Sequence, residues 1–306
     1  MKQQKRRGIV LLITLFFIIA VTAVVGVSLK QLQEANSQLQ ENRFLAQSAI
    51  TLEDVLEMVG QAERFGGIDD TLSLNHFLKE TAAIPVESGQ FSGKITLKSA
   101  RERININTLL YSEPLRTTLE RYLGESMQVA DAGYLIYLMM DCMGGQKEEG
   151  YWTDIFDRQP WMYRERIVNK THFGQILDFY VRSRHDPSVY KVPWDRLIRF
   201  GERTGANIVD ANYMAPELWA MLLVGTYPSA DELQTLAHPA VPYESVADLP
   251  LPEERAETLV QEFSLGFYAP VVDVKLVLKE GETNQAVSSF EYDLKTKKAG
   301  RFDYAI

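Results

Sequence analysis

KRRGIVLLITLFFIIAVTAVVGVSL, residues 5–29, is the stretch from which the rest of the reading follows. A basic run ends at Gly8, and the 22 residues from Gly8 to Leu29 carry no charge. That is close to the roughly 20 residues a helix needs to cross a hydrocarbon core. The basic flank places the N-terminus in the cytoplasm and the remainder outside. A secretory signal peptide has a shorter apolar region, roughly 7–15 residues, and a small-residue cleavage site after it. This run is too long, and its Ala-Val-Thr-Ala and Val-Val-Gly-Val pieces make only a weak site of that kind.

Beyond the run the chain continues without Pro or Gly from Ser28 to Val59. Leu29, Leu32, Leu39, Ala46, Ala49, Leu52, Leu56 and Val59 recur at intervals of three, four and seven, the stripe of an amphipathic helix. Helical from Ile9 to about Phe65, it would be roughly 85 Å long at about 1.5 Å per residue. Its first half would lie in lipid and its second half against a globular domain.

A basic leader ending in glycine, an apolar half-helix and an amphipathic half-helix together resemble the class III signal and first helix of type IV pilins and pseudopilins. The resemblance implies cleavage between Gly8 and Ile9 by a prepilin peptidase and N-methylation of Ile9. Most of that family carries a glutamate at the fifth mature position; this chain has Ile13 there. A carboxylate at bilayer depth costs about 2.5–3.5 kcal/mol unless it finds a partner. In family filaments the partner is a neighbouring subunit's ammonium, so a subunit without the carboxylate has nothing to pair above it. Its absence is the habit of the K-type minor pseudopilin of type II secretion, which sits at the filament tip.

The rest of the chain reads as α+β. After Gly66-Gly67 comes a short segment Leu72–Leu78, a loop through Pro85, and a strand in which Phe91, Ile95 and Leu97 alternate with polar neighbours. Ile104-Asn-Ile-Asn-Thr108 then turns into a helix with Asn107 or Thr108 as candidate N-cap. From there to about Phe263 apolar residues recur by three and four in SMQVADAGYLIYLMMDCM, FGQILDFYVRS, PWDRLIRFGERT, APELWAMLLV, SADELQTLA, YESVADL and PEERAETLVQEF, with only Asn207–Asp210 as a short strand candidate. Beyond Gly266, Val272, Val274, Leu276 and Leu278 alternate, a turn follows at Glu280-Gly281-Glu282, and a second strand runs through Val287, Phe290, Tyr292 and Leu294. This hairpin is expected to pair with the strand near Phe91–Lys98, against the amphipathic part of the first helix. The organisation expected is a leader (1–8), a long helix (9–65, with 9–29 transmembrane), a pilin-like β part (66–106 and 267–306), and an inserted all-α domain (107–266).

That order is similar to the K-type pseudopilin, whose pilin-like fold carries a large helical insertion. RERININTL (101–109), ANIVDANYMAPELWAM (206–221) and YESVADL (243–249) are similar to segments of that family in the same order. The chain departs from it at Met140–Met143, where only Asp141 remains of an Asp-Trp-x-Asp stretch, and at Pro250-Leu-Pro252, where a glycine turn is usual.

Chemistry is sparse. The formal net charge is -9, and removing the leader would make the chain more acidic still, which argues against nucleic acid as a partner. Cys142 is the only cysteine, so neither an internal disulfide nor a cysteine-based zinc cluster can form. The four histidines are scattered, and no nucleophile elbow or phosphate-cradling loop is present. The nearest approach to a site is DCMGGQKEEGYWTDIFD, with Asp141, Glu148, Glu149, Asp154 and Asp157. Calcium takes six to eight oxygens, so this loop is a candidate cation site, although its spacing is not that of an EF-hand. A solvated acidic loop is the competing reading. The resemblance implies calcium in the globular part without assigning these ligands. The neighbouring aromatics Tyr151, Trp152, Phe156, Trp161 and Tyr163 read as helical core in preference to an interaction surface.

The resemblance implies a non-catalytic subunit of the bacterial inner membrane, single-pass, with its globular part in the periplasm. Such a subunit initiates and caps the pseudopilus tip with I-type and J-type minor pseudopilins as partners. A tip subunit of a type IV pilus or competence filament, or a membrane-anchored periplasmic enzyme or binding protein, are the alternatives.

Overall fold

The structure is a computed structural model and describes residues 30, 46–47, 49–55, 57, 67–81, 83–88, 91–144, 153–201, 209–226, 228–280 and 284–305. The leader, the apolar run and the predicted lipid-spanning helix lie outside these residues. Among the described residues no helix is long and apolar enough to cross a membrane.

Helical backbone at 49–55 precedes α1 (Thr71–Glu80), β1 (Ile84–Ser88) and β2 (Phe91–Ser99). A helical block follows: β3 (Ile104–Asn105), a 3-10 turn (Ile106–Leu110), α2 (Glu113–Arg121), α3 (Ala132–Cys142), α4 (Ile155–Arg158) and α5 (Lys170–Arg184). It continues with a second 3-10 turn (Pro187–Lys191), α6 (Trp194–Leu197), β4 (Ile198–Arg199), β5 (Val209–Asp210), α7 (Pro216–Leu222) and α8 (Ala230–Ala237). A third 3-10 turn (Val246–Asp248), α9 (Glu253–Phe263) and β6 (Leu265–Gly266) complete it, and β7 (Val271–Glu280), β8 (Asn284–Asp293) and β9 (Lys298–Ala305) return to the sheet.

The main sheet is antiparallel throughout, in the order β1-β2-β7-β8-β9. The predicted hairpin and its pairing with the strand near Phe91 are present, with Leu97 opposite Val274 and Ile95 opposite Leu276. Alternation puts Ile95 and Leu97 on one face with Val272, Val274, Leu276 and Leu278, all buried. Val55 and α1 residues Leu74, Phe77 and Leu78 pack on that face. Gly93 serves a close approach there: a Cβ on it would lie 2.5 Å from the Val277 carbonyl oxygen.

Three expectations about the sheet need correction. It has two more strands than predicted, and both are edges. β1 contains Pro85, which an edge strand tolerates because one row of its amides has no partner to lose. β9 carries the exposed Lys298, the kind of charge with which edge strands resist further pairing. In β8 the buried face is Ala286, Ser288, Phe290 and Tyr292, so Val287 points the other way.

In the helical block the helix predicted from Asn107 or Thr108 begins later. Asn105 caps the 3-10 turn, accepting from Asn107 N, and Ser112 caps α2, with Pro114 inside its first turn. α3, capped by Asp131, buries nearly its whole circumference, as a helix apolar on all sides must. Fully buried Leu135, Leu138 and Met139 each contribute about 1.5–3 kcal/mol. The helix predicted across PWDRLIRFGERT stops at Leu197, because Ile198 and Arg199 extend and pair in parallel with Ile104 and Asn105. YESVADL forms only a 3-10 turn. Val209–Asp210 is a strand, paired in parallel with Leu265–Gly266.

The core splits in two. One cluster runs from Ile104 to Leu265 and fills the helical block; the other joins Val55, α1 and the sheet. The chain leaves the sheet after β2 and returns at β7 side by side, with Ala100 N donating to Val271 O at 2.9 Å.

Candidate interaction surfaces

The segments that carry the family resemblance turn out to be pins that fix the helical block internally and to the sheet. Asn107 Nδ2 donates to Ile167 O at 3.0 Å and Gly201 O at 2.8 Å, while its Oδ1 accepts from Ile167 N at 2.7 Å. Asn105 Oδ1 accepts from Gly201 N at 3.1 Å. One amide side chain thus satisfies groups 60 and more residues away in sequence, which an apolar residue of equal size would leave unpaired.

The second pin is Asp210 with Asn212. Asn212 Oδ1 accepts from Tyr243 N at 2.7 Å, and its Nδ2 lies 3.0 Å from both Tyr243 O and Phe267 O. Asp210 accepts from Asn212 N at 3.0 Å and from Ala269 N at 3.1 Å. Burial pushes the Asp210 carboxyl up to about 6, although those N–H groups favour its charged form. In YESVADL, Ser245 and Asp248 close a capping box that presents Tyr243 to this pin.

The third pin is ionic. Glu291 on β8 receives Arg101 at 3.1 Å, Arg199 at 3.2 Å and Arg301 at 2.7 Å. A register shift between β8 and β9 near Glu291, with Arg301 at φ 52°, turns that side chain toward it. Burial would raise the Glu291 carboxyl, but the combined pull of Arg199, Arg301 and Arg101 holds it below the usual carboxylate range. Arg101 and Arg199 lie 190 and 92 residues from Glu291, so no local pattern announces them.

Of the predicted site residues, Gly8, Ile9 and Ile13 lie outside the described residues, as do Glu148 and Glu149 in the acidic loop. Asp141 is buried at the end of α3, accepting from the Thr153 hydroxyl and from Arg164 Nη2 at 3.2 Å. Asp154 pairs with Arg158 at 2.6 Å, and Asp157 is exposed. Among the described residues no three histidine, cysteine or carboxylate side chains gather as a metal ion would require.

Cys142, beside Asp141, is fully buried; burial and then the Asp141 charge push its thiol up to about 12, far from a reactive thiolate. His172 is buried, and burial lowers its pKa, which keeps the imidazole neutral. The aromatic run is not all core: Trp161 is 76% exposed and Tyr163 is exposed beside it, while Phe156 packs on the core under the Arg164 guanidinium. Exposed Trp and Tyr are the side chains enriched at interfaces.

No protein-family model matches the chain, and no curated protein matches it. Its fold is similar to that of a chain in the crystal structure of the GspK-GspI-GspJ complex from the enterotoxigenic Escherichia coli type 2 secretion system. The identity is 12% and the TM-score 0.60, and the likeness covers 89% of this chain and 99% of that chain. The shared architecture is a GspK-like minor pseudopilin fold.

Proposed function

We propose that the chain is a K-type minor pseudopilin of a type II protein secretion system, a non-catalytic subunit that starts and caps the pseudopilus tip together with I-type and J-type minor pseudopilins. The observation that carries this reading is the shared architecture over 89% of the chain, too wide a span to leave the helical block out. The leader pattern supports it from the other end: a peptidase cuts between Gly8 and Ile9, Ile9 is methylated, and the apolar run stays in the inner membrane as the packing element. Ile13 then marks the subunit above which no other is added.

The mechanism is geometric. The first pin braces the helical block, the second and third tie it to the sheet, and a block of this bulk above the filament axis obstructs a further subunit. Exposed Trp161 and Tyr163 are the partner-facing candidates on the block. Calcium belongs to this reading by resemblance, and its ligands would be carboxylates other than Asp141, whose oxygens Thr153 and Arg164 already engage.

Co-purification of the full chain with the I-type and J-type subunits encoded beside it tests the reading. A stable complex is expected. Replacing Gly8 tests the leader: maturation and export that proceed normally in that variant would defeat the proposal.

A further inference from the structure

Beside the third pin the sheet and the helical block leave a cleft of about 560 Å³. Its wall carries Arg101, Arg166, Arg199, Lys298 and Arg301 against two carboxylates, Glu291 and Asp293. In a chain of net charge -9 this is a local reversal of sign. Three of the guanidinium groups share the single carboxylate of Glu291. The nearby Asp273, whose carboxyl burial pushes up, lies 3.7 Å from Arg103, a further guanidinium outside the cleft wall.

Arg199 shows the deficit most sharply. Its side chain is 6% exposed, and its Nε is buried with no hydrogen-bond partner among the described residues. Burial and then repulsion from Arg101 lower its pKa to about 10, against the opposing pull of Glu291. Guanidinium forks in such a place match carboxylates in geometry as well as charge.

We propose that this cleft binds a carboxylate-bearing segment of a second polypeptide, an acidic peptide whose side chains supply the missing negative charge. The size and the flanks favour a peptide over a small free anion. The cleft is far larger than one oxyanion needs, and Val168 and Phe302, both exposed, give it apolar margins. One wall is strand β9, from Lys298 to Phe302, which gives the cleft a length that an extended segment can follow. The assignment stands on the cleft alone and does not depend on the pseudopilin reading.

The test is fluorescence anisotropy on the full chain in detergent micelles, with a labelled octapeptide of alternating glutamate and threonine as probe. The same peptide with glutamine in place of glutamate is the control. The acidic probe is expected to bind at least tenfold more tightly than the control. Lys298→Glu, an exposed change on β9 that disturbs no core residue, is expected to weaken it about tenfold. Glu291→Gln removes the internal competitor and is expected to tighten binding severalfold, with a larger rise in melting temperature on adding the probe. Equal binding of the two peptides, or an unchanged affinity in Lys298→Glu, overturns the proposal. Displacement of the probe by low millimolar sulfate at constant ionic strength would assign the cleft to inorganic oxyanions and overturn the peptide assignment.

Discussion

Asn212→Ala is the substitution whose cost follows most directly from the geometry. The amide accepts from Tyr243 N at 2.7 Å and donates toward Tyr243 O and Phe267 O, each at 3.0 Å. Asn212 and Tyr243 are both buried, so water cannot replace the lost partners without opening the block. A buried donor or acceptor left unpaired costs about 1–3 kcal/mol, and with one N–H and two carbonyls affected the sum is about 3–9 kcal/mol. That is a large fraction of the roughly 5–15 kcal/mol that holds a domain folded. Urea unfolding of the full chain in detergent micelles, followed by tryptophan fluorescence, measures it, because Trp219 is buried in the helical core and reports that unit. Glu244→Ala, an exposed neighbour, is the control and is expected to stay within about 0.5 kcal/mol of the parent. If Asn212→Ala also stays within that margin, the pin is not what holds the segment and the reasoning fails.

Four further outcomes follow from other parts of the molecule. Gly93→Ala puts a Cβ 2.5 Å from the Val277 carbonyl and 2.7 Å from Leu278 Cδ2 and should cost about 1–3 kcal/mol; an unchanged urea midpoint would refute the tight approach. Cys142, with its thiol at about 12, should resist maleimide at pH 8 in the native chain and react once urea is added; rapid native labelling would contradict its burial. Glu291 has a folded pKa below its ordinary 4.5, so its contribution is complete above that value and lost as the pH falls through the lower folded one; Glu291→Gln should flatten that acid limb of the stability profile, and an identical limb would dissociate the arginine knot from it. Calcium should raise the melting temperature more than equal magnesium and should do so equally in Asp141→Asn once that variant's own destabilisation is subtracted; no excess over magnesium removes calcium from the reading.

What the sequence disclosed and what it withheld divide along physical lines. Strands β2 and β7 were legible because each has one buried face and one wet face, so period-two alternation survives in Ile95, Leu97, Val272, Val274, Leu276 and Leu278. β8 was placed with Phe290, Tyr292 and Leu294 correctly on the buried face, but the next inward position is the polar Ser288, which breaks the apolar pattern, and Val287 looks outward. β1 and β9 were missed because edges admit proline and charge. Two-residue parallel ladders such as Ile198–Arg199 have no local signature at all; partners 94 residues apart create them. At the candidate surfaces, the asparagines were visible as a motif but their partners were not. The cluster around Glu291 was invisible, since residues 101, 199 and 301 meet only after folding. Trp161 was misplaced because helical spacing cannot tell a core aromatic from one left outside.

The side-by-side crossing at Ala100 and Val271 decides how a force on the helical block reaches the sheet. Both strands that lead into the block end at the same level of the sheet, Ser99 opposite Val272. Thrust or drag on the block therefore loads β2 and β7 in the same direction at once. The hydrogen bonds between those two strands feel no relative sliding, and the stress is handed outward to the ladders with β1 and β8, where it is resisted in shear along many parallel bonds. The block behaves as a tool head on a double shank, and its seat stays shut under load.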